Sequence, residues 1–325
     1  MIRIFAAIAA VAIASPAFAA DLKVTDRIAG ADGGWDYSSV DTAGNRLFVS
    51  RSDGVMTVDL NTRKVTPQFV AGGKVHASFI IPGTTTGIAT NGLTSTATLF
   101  DAATGAIKAT IKTGAKPDAA TWDPASKTVW VMNADDGTAT IIDPVGMKAV
   151  GSVKIGGALE FAVTDGKGLL FVNVEDKSEL AMVDTIGRKV LRRTALPGCI
   201  EPSGLALTAR GVLIAACANG VAKLVDAASG KLLPDVAIGA HPDAVINDVA
   251  RNRAYVPAAD GTLTVIDTSA TPHGIATIAT QAGARTGAVD PATGTVYLPT
   301  AGYAAGGVGK PKAIPGSFTV LVVAN

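Results

Sequence analysis

Residues 163–184 read VTDGKGLLFVNVEDKSELAMVD. Acids, a Gly-Lys-Gly turn and an Asn interrupt an apolar run. The stretch could be a phosphate loop, or one copy of something repeated. Its last five residues decide between them. LAMVD, ending at Asp184, belongs to a series: MTVDL with Asp59, ATLFD with Asp101, ATIID with Asp143, AKLVD with Asp226 and LTVID with Asp267. Successive Asp residues stand 41 or 42 residues apart. A period of that length marks a repeat architecture.

Working outward from each Asp gives the unit. A turn and a short strand follow it, as in AATGAIKATIKTG (102–114). A strand, a turn and a second strand precede it, as in TWDPASKTVWVMN (121–133). Alternation of apolar and small polar residues in TATIID is the strand period of two, and the Ala-Thr-Gly turns suit hairpins. Four short strands in about 42 residues make a propeller blade. No run of a dozen residues has helical spacing. The Gly166-Lys167-Gly168 turn therefore reads as a hairpin, since a phosphate loop needs a helix after it.

Counting gives an all-β, seven-bladed β-propeller. The seventh blade lacks an outer strand, because the chain ends at SFTVLVVAN (317–325). LKVTDRIAG (22–30) resembles KAVGSVKIGG (148–157), the outer strand of blade three, so residues 21–30 are expected to close the ring. Closure removes a free sheet edge.

Composition agrees. The chain has 325 residues, is 48% hydrophobic and 17% charged, and contains 36 Gly. It is too apolar for disorder. Its net charge of +1 gives nucleic acid no field to follow. Residues 1–19 read as a cleaved signal peptide: Arg3, an apolar stretch from Ile4 to Ser15, then Ala17-Phe18-Ala19. The apolar run is too short to span a bilayer. These features predict export to a bacterial periplasm, with residues 20–325 forming one propeller domain, expected to be monomeric. In that compartment Cys199 and Cys217 are expected to pair.

Shared positions build a scaffold; the positions where blades differ are candidates for a site. One slot starts each innermost strand: Asp36, His76, Asp118, Glu160, Ser203, Asp243 and Arg285, spaced 40 to 43 residues apart. These seven are expected to ring one mouth of the central channel. Like charges gathered there raise one another's pKa unless something positive intervenes. Arg285, beside Asp243 around the ring, meets part of that need. A divalent cation is the cofactor class such donors suit. Asp118, Glu160 and Asp243 are the metal candidates, with oxygen ligands for Ca²⁺ or Mg²⁺; His76 would admit a transition metal. The same residues also fit a plainer use, accepting backbone N–H groups of the next blade.

On the same face lies a long insertion, AGYAAGGVGKPKAIPGS (301–317), about 14 residues longer than its counterparts in other blades. It reads either as a solvated insertion or as a lid carrying Tyr303, Lys310 and Lys312 over the ring. His241 stands just ahead of the ring and His273 in an exposed turn. Trp35, Trp122 and Trp130 read as packing between blades. No catalytic motif is present: there is no G-x-S-x-G elbow, HExxH or CxxC pair.

Two second strands carry an aromatic-Val pair closed by Asn: Trp130-Val131-Met132-Asn133 and Phe171-Val172-Asn173. With the blade period and the terminal Asp, the chain resembles the YVTN β-propeller repeat family, also called YncE-like proteins. DGKGLLFVNVEDKSE (165–179) and CIEPSGLAL (199–207) are similar to one secreted subgroup, where Glu175 and Asp176 lie in a mouth-facing turn. The resemblance implies an exported seven-bladed propeller. Most such proteins have no assigned activity; some related propellers bind DNA, some are surface-layer components and some accompany metal-enzyme or quinoprotein systems. Two functions are carried forward. One is a periplasmic binding or scaffold protein holding an envelope protein partner or a small ligand at the mouth. The other is a metal-assisted hydrolase or lyase, lactonase-like, at the same place.

Overall fold

The computed structural model of the protein describes residues 22–304 and 312–325. The expected leader (1–19) and Lys310 lie outside the described residues. Seven antiparallel four-stranded sheets form a ring, and the described residues contain only two short 3₁₀ turns, Glu175–Lys177 and Val249–Arg251.

The blades follow the repeat. In blade three the strands are Pro117–Asp123, Thr128–Asn133, Thr138–Asp143 and Lys148–Lys154, in that order from channel to rim. Blade seven closes as expected: Lys23–Ala29 pairs antiparallel with Thr319–Ala324, from Lys23 opposite Ala324 to Ala29 opposite Thr319. The last sheet is thus built from both ends of the described chain.

The recurring Asp has a local job. Its side chain accepts backbone N–H groups from the turn that follows: Asp59 from Asn61 and Thr62, Asp143 from Val145 and Gly146, Asp184 from Ile186 and Gly187. Side-chain capture of two turn amides fixes the hairpin between strands three and four. That explains why the slot repeats.

Packing runs between blades. Trp130, Met132 and Ile141 of blade three meet Leu170, Val172 and Val183 of blade four in one buried cluster. Trp130 is fully buried. Trp122 packs where blades two and three meet, and Trp35 lies 5.4 Å from Phe318 of blade seven. The tryptophans are therefore inter-blade packing. Each large side chain buried this way contributes roughly 1.5–3 kcal/mol. Blade two, whose sequence departs most from the repeat, keeps its place by fit. A Cβ on Gly87 would sit 2.1 Å from the Phe100 ring, so glycine is what lets Phe100 lie against the strand.

Cys199 and Cys217 form a disulfide, with Cα atoms 5.4 Å apart. It ties the segment leading into blade five to the end of that blade's second strand.

Candidate functional site

Five of the seven mouth residues are placed by a bulge. Asp36, His76, Asp118, Glu160 and Ser203 are the second residues of their innermost strands, and in each blade the register breaks at that point: between Trp35 and Ser38, Val75 and Ser78, Pro117 and Ala120, Leu159 and Ala162, Pro202 and Leu205. A bulge frees two residues from the ladder and re-aims their side chains. Asp243 and Arg285 occupy the same position ahead of the shorter inner strands Ile246–Asp248 and Ala288–Val289. In five blades the residue two positions earlier has a left-handed backbone: Lys74, Lys116, Glu201, His241 and Gly283. That kink turns the chain from the rim of one blade to the centre of the next.

The structure sorts the seven residues into groups. His76 Nδ1 lies 2.6 Å from Asp36 Oδ2 and 3.2 Å from Asp118 Oδ1, and Lys116 Nζ is 3.5 Å from Asp118 Oδ2. Arg285 Nε lies 3.2 Å from Asp243 Oδ2. Glu160 Oε2 accepts from the Tyr37 hydroxyl at 3.3 Å. Ser203 Oγ donates to the Pro242 carbonyl at 2.8 Å and buttresses the next blade. Neighbouring blades also clasp the bulges: Thr90 Oγ1 donates to the Asp118 carbonyl, and Asn173 donates to those of Ser203 and Gly204.

The metal candidates are not held together as one set. Among the described residues, the compact group able to supply metal ligands is Asp36, His76 and Asp118, whose donor atoms lie within 4.8 Å of one another. Asp118 belongs to it. Glu160 is engaged with Tyr37, and Asp243 with Arg285.

Tyr37 matters beyond its hydrogen bond. It starts in blade one and reaches Glu160 of blade four, with Phe161 edge-on at 5.0 Å. The two aromatics stand between the ring and a deeper cavity of about 430 Å³ lined by the inner strands. The mouth is therefore a cup with an aromatic floor. Sequence reasoning passed over this floor, although a signal was there. The residue after each ring position is Tyr37, Ala77, Ala119, Phe161, Gly204, Ala244 and Thr286. Five are small; two are aromatic.

Burial governs the charges. It pushes the Glu160 carboxyl up to about 10, with Asp118, Glu175 and Asp243 adding to the rise. It pushes Asp243 up to about 7, against the pull of Arg285. Burial also raises Asp118, although His76 opposes it. For His76, burial works toward a lower pKa, but the Asp36 hydrogen bond and the charges of Asp118 and Asp36 outweigh it and the imidazole is raised. Glu160 thus holds a proton at neutral pH, beside Glu175, itself raised first by burial and then by Glu201. Glu175 lies at the mouth beside Glu160. Asp176 accepts from the Ala158 amide and is a loop clasp.

His241 is exposed, and its backbone ties to Ala218 and Ala259; it contributes no side chain to these groups. His273 is also exposed; it opens the outer strand His273–Ala279 rather than sitting in a turn. At the two described ends of the insertion, Tyr303 bridges Ala313 and the Ile314 amide donates to the Gly302 carbonyl. Tyr303 is half-buried beside Arg285, whereas Lys312 is exposed.

No protein-family model matches the sequence, and no curated protein does. Solved structures resemble the fold. A chain from Kuenenia stuttgartiensis hydrazine synthase matches with a TM-score of 0.71 at 16% identity, over 83% of this chain and 93% of that one. A chain of the mitotic checkpoint complex matches with a TM-score of 0.77 at 10% identity, over 99% of this chain and 97% of that one. At such identities the likeness is one of architecture: this chain is a β-propeller.

Proposed function

We propose that the protein is an exported, YVTN-like binding protein whose mouth cup takes a small ligand carrying positive charge. One observation carries this reading. Carboxyl groups at positions that vary from blade to blade are buried in the cup against their own charge. Glu160 and Asp243 keep or regain protons there, while Asp36, Asp118 and Glu175 stand among His76, Lys116 and Arg285 as the cations in contact with the ring. A ligand cation would relieve that repulsion and gain desolvated partners. The test is a thermal-shift titration of the mature protein at pH 7.5 with simple amines and with Ca²⁺, Mg²⁺, Mn²⁺ and Zn²⁺. Saturable stabilisation by an amine, lost in Glu160→Gln with Asp243→Asn, supports the reading. No shift with any amine contradicts it. Cell fractionation tests export to the periplasm.

A second reading rests on the Asp36–His76–Asp118 group. One imidazole and two carboxylates can hold a divalent ion that polarises a carbonyl, as a metal-assisted hydrolase or lyase requires. Stabilisation by one metal ion after chelator treatment, lost in His76→Ala, would favour this reading over the first.

A further inference from the structure

The blade-seven side of the mouth differs from the rest. A cavity of about 520 Å³ opens there, lined by Gly34, Trp35, Ala259, Gly283, Arg285 and Tyr303. Small residues form part of its wall and two aromatics flank it. Among the described residues that line it, the one cation is Arg285, whose side chain is 53% exposed. The guanidinium approaches Asp243 through Nε, at 3.2 Å from Oδ2. Among the described residues its two terminal nitrogens make no hydrogen bond, so the planar fork is open to the cavity.

The cavity is shaped by backbone geometry. Gly283 has φ +84°, and a Cβ there would lie 2.5 Å from Tyr303 Cε2. Glycine thus lets the Tyr303 ring lie against the segment leading to Arg285. Tyr303 is itself held by an antiparallel bridge to Ala313. On the other side Trp35 is held against Phe318. The residue after Trp35 is Asp36, and its carbonyl accepts from Thr286 next to Arg285. Asp36 therefore marks the border between this cavity and the acidic cup.

We infer that the ligand of the mouth is a zwitterion: an α-amino acid with an apolar or aromatic side chain. Its carboxylate would meet the Arg285 fork, its ammonium group the carboxylates beginning at Asp36, and its side chain the Trp35–Tyr303 walls. This rests on the binding reading above and makes it specific. A lone guanidinium beside several carboxylates can neutralise one carboxylate bidentately. A plain anion would still face the repulsion of Asp36 and Asp243. A phosphate, with more charge, would face more. A ligand that brings its own cation removes that cost. The volume lies within the range of small-ligand pockets.

The test is calorimetric titration of the mature protein with three probes: L-phenylalanine, N-acetyl-L-phenylalanine, which lacks the ammonium, and phenethylamine, which lacks the carboxylate. The expected result is saturable binding of L-phenylalanine, with both truncated probes weaker by about tenfold or more. Arg285→Lys keeps a charge beside Asp243 but loses the fork, and should weaken L-phenylalanine by about tenfold while leaving phenethylamine unchanged. Circular dichroism of that variant checks its fold, and Tyr303→Ala offers an independent route into the same cavity. Equal binding of phenethylamine and L-phenylalanine overturns the inference and leaves the acidic-cup reading standing. Equal binding of the N-acetyl probe overturns the role given to the ammonium. No binding of any probe overturns the inference, and the amine titration described above then decides the reading beneath it.

Discussion

The molecule carries two sets of carboxylates that behave in opposite ways. The first set ends the third strands: Asp59, Asp101, Asp143, Asp184, Asp226 and Asp267. They are half-buried, each accepts turn hydrogen bonds, and where a shift is resolved their pKa is lowered; for Asp226 the Ser229 hydroxyl is the leading cause. The second set stands at the mouth. Asp118, Glu160 and Asp243 are raised, with burial the leading cause in each. The first set stabilises the fold by being charged. The second costs stability whenever it is charged. Carboxylates that repeat with the blade hold the blade together; those that vary converge on the cup.

This contrast can be broken at several points, taken from the largest effect down. His76 is the mouth's exception, since its imidazole links Asp36 and Asp118. His76→Ala leaves two carboxylates facing each other without the imidazole between them, with Lys116 3.5 Å from Asp118. It should destabilise the protein by about 3 kcal/mol, read by denaturant unfolding. A loss below about 0.5 kcal/mol would mean that the pair is already solvated.

Next comes pH. A carboxyl whose folded pKa is raised binds more protons when folded, so its contribution to stability falls as pH rises between its unfolded and folded values. For Asp243 that window runs from 3.8 to about 7. The ligand-free protein should lose stability across it, and Asp243→Asn should flatten the fall. A steeper fall in the variant would reverse the sign assigned to this group.

The smallest effect belongs to the turn set. Asp267 accepts from the Ser269 amide at 2.9 Å and from its hydroxyl. Asp267→Ala should cost about 1 kcal/mol. At this chain length that corresponds to a melting point lower by roughly 1–2 °C in differential scanning calorimetry. It should leave ligand binding untouched.

Much of this was legible in the sequence because the blade repeats. LAMVD and its relatives fixed the period, and LKVTDRIAG could be matched to KAVGSVKIGG because an outer strand looks alike wherever it comes in the chain. The ring slots followed from the same alignment. What the alignment could not supply is distance across the channel. Tyr37 meets Glu160 over 123 positions of sequence, and His76 selects Asp36 and Asp118 rather than a grouping of Asp118, Glu160 and Asp243. Such contacts depend on the reach of one side chain across an opening whose width the repeat does not encode. The bulges were hidden for a related reason. They change register without changing residue pattern, as at Pro117–Ala120, where the strand still reads PDAATWD.

The measurement closest to the central claim is thermal unfolding of ligand-free wild type and of Glu160→Gln with Asp243→Asn, at pH 5 and pH 8. Both substitutions keep shape; they remove the cost of holding Glu160 protonated and of burying Asp243 as a charge. The double variant should melt above the wild type at pH 8, by on the order of 5 °C, and the gap should shrink at pH 5, where the native carboxyls are protonated at less cost. A double variant that melts below the wild type at both values would show that these acids hold the blades together, and the distinction between scaffold and site carboxylates would fail.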